Sequence, residues 1–454
     1  MTIASSQAYH FSRTIKRIAI IGAGASGLAT AKTLLSQLTS PKIKIFERNS
    51  SVGGTWIYSE KRGPKVYFPS VDPLIADPED PPRNYNSSIY SSLRTNLPHP
   101  VMSFRDHPFP EDTPLFPGHG NVLENLEAFA TENELLPYIT FNTVVQHLDY
   151  VEDQWKVTLL SDGKKQTEDF DAVIVCSGHY YVPYIPNIKG LHELSEKQPN
   201  RLLHSREYKR PEIYKDMSVM VVGAASSGID IARDLSFHCK SVYQSVRNNQ
   251  GSADIGESPG TGSASENKIQ FKPEMEFIDT TNNKIHFVDG TQLDIPDVIL
   301  FATGYLYSFP FLSQLERTNK SVEKVDDDSV LITDGMQVHN VYQQIFYIPN
   351  PTLAFIGLPV KVVPFPMAQY QAAYVAQVFS EKVNLPSQQE MKEWYQEQLE
   401  KVHGRDIHIL NGPKEAEYCN RLSDFTKGVI PKVPEWWVEM RVQALALRKK
   451  TLGY

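Results

Sequence analysis

The sequence predicts an α/β protein built from two copies of a parallel-sheet unit, one inserted in the other. Three observations carry that expectation. Short runs at 16–22 and 218–223, apolar from Ile18 and Val219 on, each lead through a glycine-rich turn into a helical pattern. The turns, Gly22-Ala-Gly-Ala-Ser-Gly27 and Gly223-Ala-Ala-Ser-Ser-Gly228, are variants of one motif. A shared pattern closes both units, Asp171-Ala-Val-Ile-Val-Cys-Ser-Gly178 and Asp297-Val-Ile-Leu-Phe-Ala-Thr-Gly304. Apolar strands without alternation belong to parallel sheets covered on both faces.

Composition bounds the function. The chain of 454 residues has room for two or three domains. With 41% hydrophobic and 22% charged residues it is an ordinary globular protein. Its net charge of −8, without a run of five like charges, speaks against nucleic acid as the main partner. The cysteines, Cys176, Cys239 and Cys419, stand far apart, which excludes a disulfide scaffold and any C-x-x-C motif. A reducing compartment is the simplest reading. No stretch reaches the ~18 apolar residues of a membrane helix, so a soluble, cytoplasmic chain without a membrane partner is expected. The first 17 residues lack the apolar core of a secretory signal. Being acid-poor, with Arg13, Lys16 and Arg17, they leave a weak organelle-targeting role open.

The elements follow in order. After the first turn, Leu28, Ala31, Leu34, Leu35 and Leu38 repeat at helical spacing, and 42–46 reads as the next strand, ending in Glu47. This is a complete βαβ unit. The Pro-, Asn- and Ser-rich stretch 58–113 reads as functional loops packed on a domain. A helix is expected at 122–130 and strands at 154–159 and 171–178. The second unit supplies a strand at 218–223, a helix at 229–235 and a strand at 241–245. A mobile loop at 248–266 and strands at 269–277 and 284–288 follow. The chain then returns to the first unit, with a last central strand at 351–357 and a helix at 366–379 that has Pro in its first turn. Surface helices are expected at 388–402 and 435–448. The first unit is thus 1–180 together with 306–454, and the second is 181–305.

The first turn carries the chemistry of a dinucleotide site in a Rossmann-like fold. Gly22 permits the tight turn, Gly24 lets backbone approach a pyrophosphate, and Gly27 lets helix and strand pack closely. Ala25 and Ser26 open a helix whose N-terminus favours phosphate. Glu47 stands 20 residues beyond Gly27, where a carboxylate meets ribose hydroxyls. A carboxylate also repels a 2′-phosphate, so this site should take FAD or NAD, not NADP. Gly53-Gly54-Thr55-Trp56 reads as a second close backbone approach, or as a plain turn. In the second turn Ala225 replaces the middle glycine, a common allowance at NADP sites. No acid ends the next strand, and Arg247 lies 19 residues beyond Gly228. A guanidinium there suits a 2′-phosphate, the alternative being a solvated loop charge. FAD with NADPH limits the chemistry to hydride transfer onto a flavin and a fate for the reduced flavin. Disulfide reduction lacks its cysteine pair, and a flavin-binding redox sensor would not need both sites.

These residues, with Tyr90-Ser-Ser-Leu-Arg-Thr-Asn96, Phe116-Pro-Gly-His119, Gly178-His-Tyr180, His204-Ser-Arg-Glu-Tyr208 and Ala302-Thr-Gly-Tyr305, give the chain its likeness to a family. Over nearly its whole length it resembles the flavin-containing monooxygenases of the fungal type. The family's F-x-G-x-x-x-H-x-x-x-(F/Y) fingerprint is kept at His204 and Tyr208, with Gln198 and Asn200 in place of Phe and Gly. Tyr208 stands where the related Baeyer–Villiger enzymes carry Trp. The resemblance implies an NADPH- and O2-dependent enzyme that oxygenates sulfur or nitrogen of small nucleophiles through a C4a-hydroperoxyflavin. An FAD-dependent NADPH oxidase or reductase is the alternative on the same scaffold. Asn96 is implied as the active-site amide, between Thr95 and Leu97 at the cofactors. By its own residues, Asn96 before Leu97-Pro98 reads as a turn position. The resemblance further places Ser226, Ser227, Gly228 and Asp230 along the NADPH, Val145 at adenine and Gln369 at the flavin edge. It also implies a homodimer. Trp436-Trp437 and His119 read as packing, Asp326-Asp-Asp328 as a solvated loop, and Cys176 as an inert core residue.

Overall fold

A computed structural model describes residues 7–61, 63, 65–76, 87–247, 269–317, 327–402 and 404–453. The 248–266 loop, Asp326 and the first six residues lie outside the described residues. Two parallel sheets organise the rest. In the first, β1 (Arg17–Ile21) crosses over through α1 (Ala25–Gln37) to a parallel β2 (Lys42–Phe46), which pairs with β3 (Ile139–Thr140). An antiparallel meander follows, β4 (Thr143–Val151), β5 (Gln154–Ser161) and β6 (Lys164–Phe170). Then β7 (Ala172–Val175) returns beside β1, and strand Leu353–Phe355 beside β7, both parallel. Two short antiparallel strands, Phe346–Tyr347 and Val341–Tyr342, finish that edge. Ile18, Ala19 and Ile20 have no solvent exposure, because helices and meander cover both faces of the sheet.

The second sheet has the order Ile269–Lys272, Ser241–Ser245, Ser218–Val222, Val298–Phe301, Leu202–His204, all parallel. Its strands lie in sequence between those of the first. The paired Asp residues of the repeat have one job. Asp171 accepts the amides of Lys16 and Arg17, and Asp297 accepts that of Ser218, so each anchors the start of its unit's first strand. The single strand expected at 269–277 is two. Pro273 has no N–H for a ladder. Ile269–Lys272 stays in the parallel sheet, and Met275–Asp279 leaves to pair antiparallel with Lys284–Phe287.

Described parts of 58–113 pack on both units. Val66 and Phe68 pack against one face of the second unit's sheet, and Tyr90 and Leu93 join the core on the other. The chain then returns to the first unit at Thr95, whose amide donates to the Pro117 carbonyl (3.0 Å). Helix Pro364–Phe379 is buried nearly all round against α1, and Gln377 donates to Gln37 (3.0 Å). Helix Gln388–Lys401 starts at a Ser387–Glu390 capping box. Helix Pro413–Phe425, which the sequence did not announce, fills the space before Glu435–Leu452. Trp437 is buried, its indole donating to the Val101 carbonyl (3.0 Å), while Trp436 is half exposed. Among the described residues no helix is long and apolar enough to cross a membrane.

Candidate functional site

The carboxyl ends of β1, β2, β7 and strand Leu353–Phe355 open on one cleft of about 530 Å³. Parallel sheets collect ligands at that edge. The first turn forms its floor. Gly22 holds φ +102°, and a Cβ on Gly27 would sit 1.9 Å from the Gly22 carbonyl oxygen. Strand and helix therefore meet at a distance only glycine allows. A Cβ on Gly24 would meet nothing closer than Gly54 Cα at 3.5 Å, so its open side faces the cleft. The first intrahelical bond runs from Leu28 N to Gly24 O (3.0 Å), which leaves the preceding amides of α1 without helical acceptors. That is an anion cradle.

Glu47 is buried at the end of β2. One carboxylate oxygen accepts the Ala23 amide (2.7 Å) and the other the Asn49 amide (2.8 Å). A carboxylate has about four acceptor sites, so both oxygens keep capacity for hydroxyl donors. A free phosphate cradle and a fixed acceptor on one wall fit a dinucleotide such as FAD.

Gly22, Gly24, Ala25, Ser26, Glu47, Gly54, Thr55, Trp56 and Val145 all line the cleft. Gly27 lies beneath the turn. Thr95, Asn96 and Leu97 stand outside the lining. Thr95 is buried and donates to the Leu97 carbonyl (2.8 Å), which sets the bend that leaves Asn96 exposed. The Asn96 side chain has no hydrogen-bond partner among the described residues. Gln369 departs from expectation. Its oxygen accepts the Arg105 amide (2.9 Å) and its nitrogen donates to Asp106 (3.1 Å), so the helix turns it away from the cleft.

The sequence reading missed Arg48, Ser177, His179, Tyr181, Gly357 and Met367, which also line the cleft. Most follow strand ends, and that position was the available signal. Burial pushes the Cys176 thiol up to about 12, and it contacts the Thr30 hydroxyl, so no thiolate faces the cleft. Burial pushes His179 down to about 4, and the neutral ring packs against Tyr180 and Tyr307.

The second turn has the same backbone. A Cβ on Gly228 would sit 2.4 Å from the Gly223 carbonyl oxygen. Ala225, Ser226 and Ser227 are exposed where helix Ser226–Ser236 begins. Arg247 lies two residues past the strand Ser241–Ser245, on the surface, and pairs with Glu274 (3.4 Å). Asp230, expected along the NADPH, is engaged by protein groups. Its carboxylate accepts Arg448 (2.7 Å) and the Tyr90 hydroxyl (3.3 Å) in a separate cavity of about 240 Å³. The reason lies in the helix, which directs Asp230 at the C-terminal helix.

Comparison with known proteins agrees with this geometry. A family model described as flavin-binding monooxygenase-like matches residues 77–263 and 262–449, and an FAD-NAD(P)-binding model matches 19–72. The flavin-containing monooxygenase ustF2 of Aspergillus flavus is 32% identical over 446 residues, covering 88% of this chain and 89% of its own. The thiol-specific monooxygenase of Saccharomyces cerevisiae is 31% identical over 460 residues, 97% of each chain. The structure of S-allyl-L-cysteine S-oxygenase from Allium sativum superposes with a TM-score of 0.78 at 32% identity, covering 96% of this chain and 93% of that one.

Proposed function

Because the chain belongs to the flavin-containing monooxygenases, enzymes that work with FAD and NADPH, we propose that it oxygenates small soft nucleophiles with NADPH and O2. Sulfur is the first class to test, since two similar proteins are named for thiol and S-oxygenation. The observation that carries the reading is the pairing of two like turns with opposite charges beyond them, Glu47 in one and Arg247 in the other. Bound flavin would accept a hydride from NADPH and activate oxygen; the protein supplies placement.

The α1 amides and Gly24 hold the pyrophosphate of FAD, and Glu47 accepts its ribose hydroxyls. Ser226, Ser227 and the amides around Gly228 hold the second pyrophosphate, and Arg247 binds the 2′-phosphate with charge-assisted hydrogen bonds. Val145 offers backbone groups to adenine, while Phe365 and Met367 keep their part of the cleft dry. Asn96 is assigned as the amide that orients the oxygenating centre by hydrogen bonding. No side chain is needed to activate a soft nucleophile. Three buried, free cysteines suit work in the cytoplasm.

The test is product analysis. Purified yellow protein is given NADPH, oxygen and an S-alkyl cysteine. S-oxide in proportion to NADPH oxidised is expected. Peroxide in that proportion, without S-oxide or any N-oxide from amine substrates, would make the protein an oxidase. Asn96→Ala should bind FAD and accept hydride while losing at least about tenfold in oxygenated product. Unchanged oxygenation would remove Asn96 from the mechanism.

A further inference from the structure

Before the chain delivers Asn96, it crosses the second unit and is fastened there. Tyr90 packs edge-on against Tyr208 (5.4 Å) in that unit's core. Its hydroxyl donates to Asp230 (3.3 Å), and the Ser92 hydroxyl donates to Asp234. Asp230 and Asp234 are one turn apart on helix Ser226–Ser236, so they share a face. Each is also held by a second group. Tyr208 donates to the Asp234 oxygen that Ser92 uses (3.0 Å), and Arg448 of the C-terminal helix donates to the Asp230 oxygen that Tyr90 uses (2.7 Å). Arg233, on the same helix, donates to the Leu452 carbonyl (3.2 Å), one of those a helix end leaves unpaired. Asp230 and Arg448 side chains are each only 9% exposed.

We propose that Asp230 and Asp234 are a clamp that fastens the 90–93 end of the segment carrying Asn96 to the second unit, and so positions Asn96 between the two units. They are positioning residues, not dinucleotide ligands. A buried carboxylate paired to both Arg448 and Tyr90 costs much to release, because breaking it leaves a buried charge unpaired. Asn96 itself is exposed and unpartnered, so its place is set by what holds its flanks, the clamp before it and the first-unit contacts of Thr95 and Leu97 on either side. The argument rests on the role given to Asn96 above. The clamp ties that residue to the helix that carries the second turn and to the C-terminal helix at once.

The variants Asp230→Asn, Ser92→Ala and Tyr90→Phe/Ser92→Ala test it on the flavin-loaded protein. Two readouts are combined. Amide hydrogen exchange at Ser91, Leu93 and Thr95 should speed up about tenfold in the double variant, with α1 unchanged. In kinetics, KM for NADPH should stay within about twofold while the share of NADPH ending as peroxide rises about threefold or more. A dinucleotide ligand would behave in the opposite way, and a raised KM with unchanged coupling in Asp230→Asn overturns the proposal. Unchanged exchange in 90–97 also overturns it. If the double variant does not retain flavin, Ser92→Ala alone, which removes only an exposed hydroxyl, carries both readouts. A wild-type protein that makes only peroxide would defeat the oxygenase reading, and the exchange result would still decide the clamp.

Discussion

At both glycine turns the first glycine holds positive φ, +102° at Gly22 and +118° at Gly223. In both, a Cβ on the last glycine would strike the first one's carbonyl oxygen, at 1.9 Å for Gly27 and 2.4 Å for Gly228. The backbone solution is therefore the same, and the surroundings are not. The first turn floors a cleft of about 530 Å³ whose wall includes buried Glu47. The second opens to solvent, with Arg247 on the surface beyond it. The difference teaches which ligand stays and which exchanges. A cofactor enclosed on several sides is retained through turnover. A substrate-like dinucleotide needs a site it can leave.

The largest expected effect breaks the comparison at its shared point. Gly27→Ala puts a methyl group into the Gly22 carbonyl, and the purified protein should be colourless. Gly228→Ala should stay yellow while KM for NADPH rises about tenfold or more. Equal loss of flavin in both variants would show that the two sites do not divide as proposed.

Gly24→Ala is gentler on the fold. Its Cβ meets protein only at van der Waals distance, so Tm of the apoprotein should hardly move. FAD affinity should fall about a hundredfold, near 3 kcal/mol, because the methyl occupies the approach of the pyrophosphate. Ala225→Gly in the second turn should change NADPH binding far less.

Arg247→Ala sharpens the contrast in charge. Loss of an exposed guanidinium should raise KM for NADPH about tenfold and leave KM for NADH unchanged, the size of one charge-assisted hydrogen bond. A parallel change for both nucleotides would make Arg247 a surface partner of Glu274 and no more.

The last expected effect is a pH dependence of stability. Burial pushes His179 and His339 down to about 4 and His408 to about 3, all on first-unit chain, and His204 of the second unit to about 3. The unfolded chain takes up these protons near pH 6.5 and the folded one does not. The stability they contribute is full above pH 6.5 and falls as pH drops toward 4, by up to about 1.4 kcal/mol per pH unit for each. The chain's five tryptophans all lie outside 181–305, so their emission follows the first unit. The urea midpoint by tryptophan emission should fall between pH 7 and pH 5. A flat midpoint would mean that these rings are protonated in the folded protein.

The sequence by itself determined the two units, their turns and the charges beyond them, because these are local. A positive φ, a helix N-terminus and a strand-end carboxylate each need only a few neighbouring residues, and they stand where the pattern put them. Split strands were harder, since Pro273 marks a break without saying which sheet each half joins. Tertiary structure alone decided Gln369, Asp230 and the 90–97 segment. Gln369 sits in the helix that the pattern foresaw, yet its amide goes to Arg105 and Asp106, over 260 residues earlier. Asp230 lies two residues past a dinucleotide turn, yet Arg448 and Tyr90 take its carboxylate. A side chain's partner depends on which distant surfaces the packed core brings within about 3 Å, and no local pattern encodes that distance.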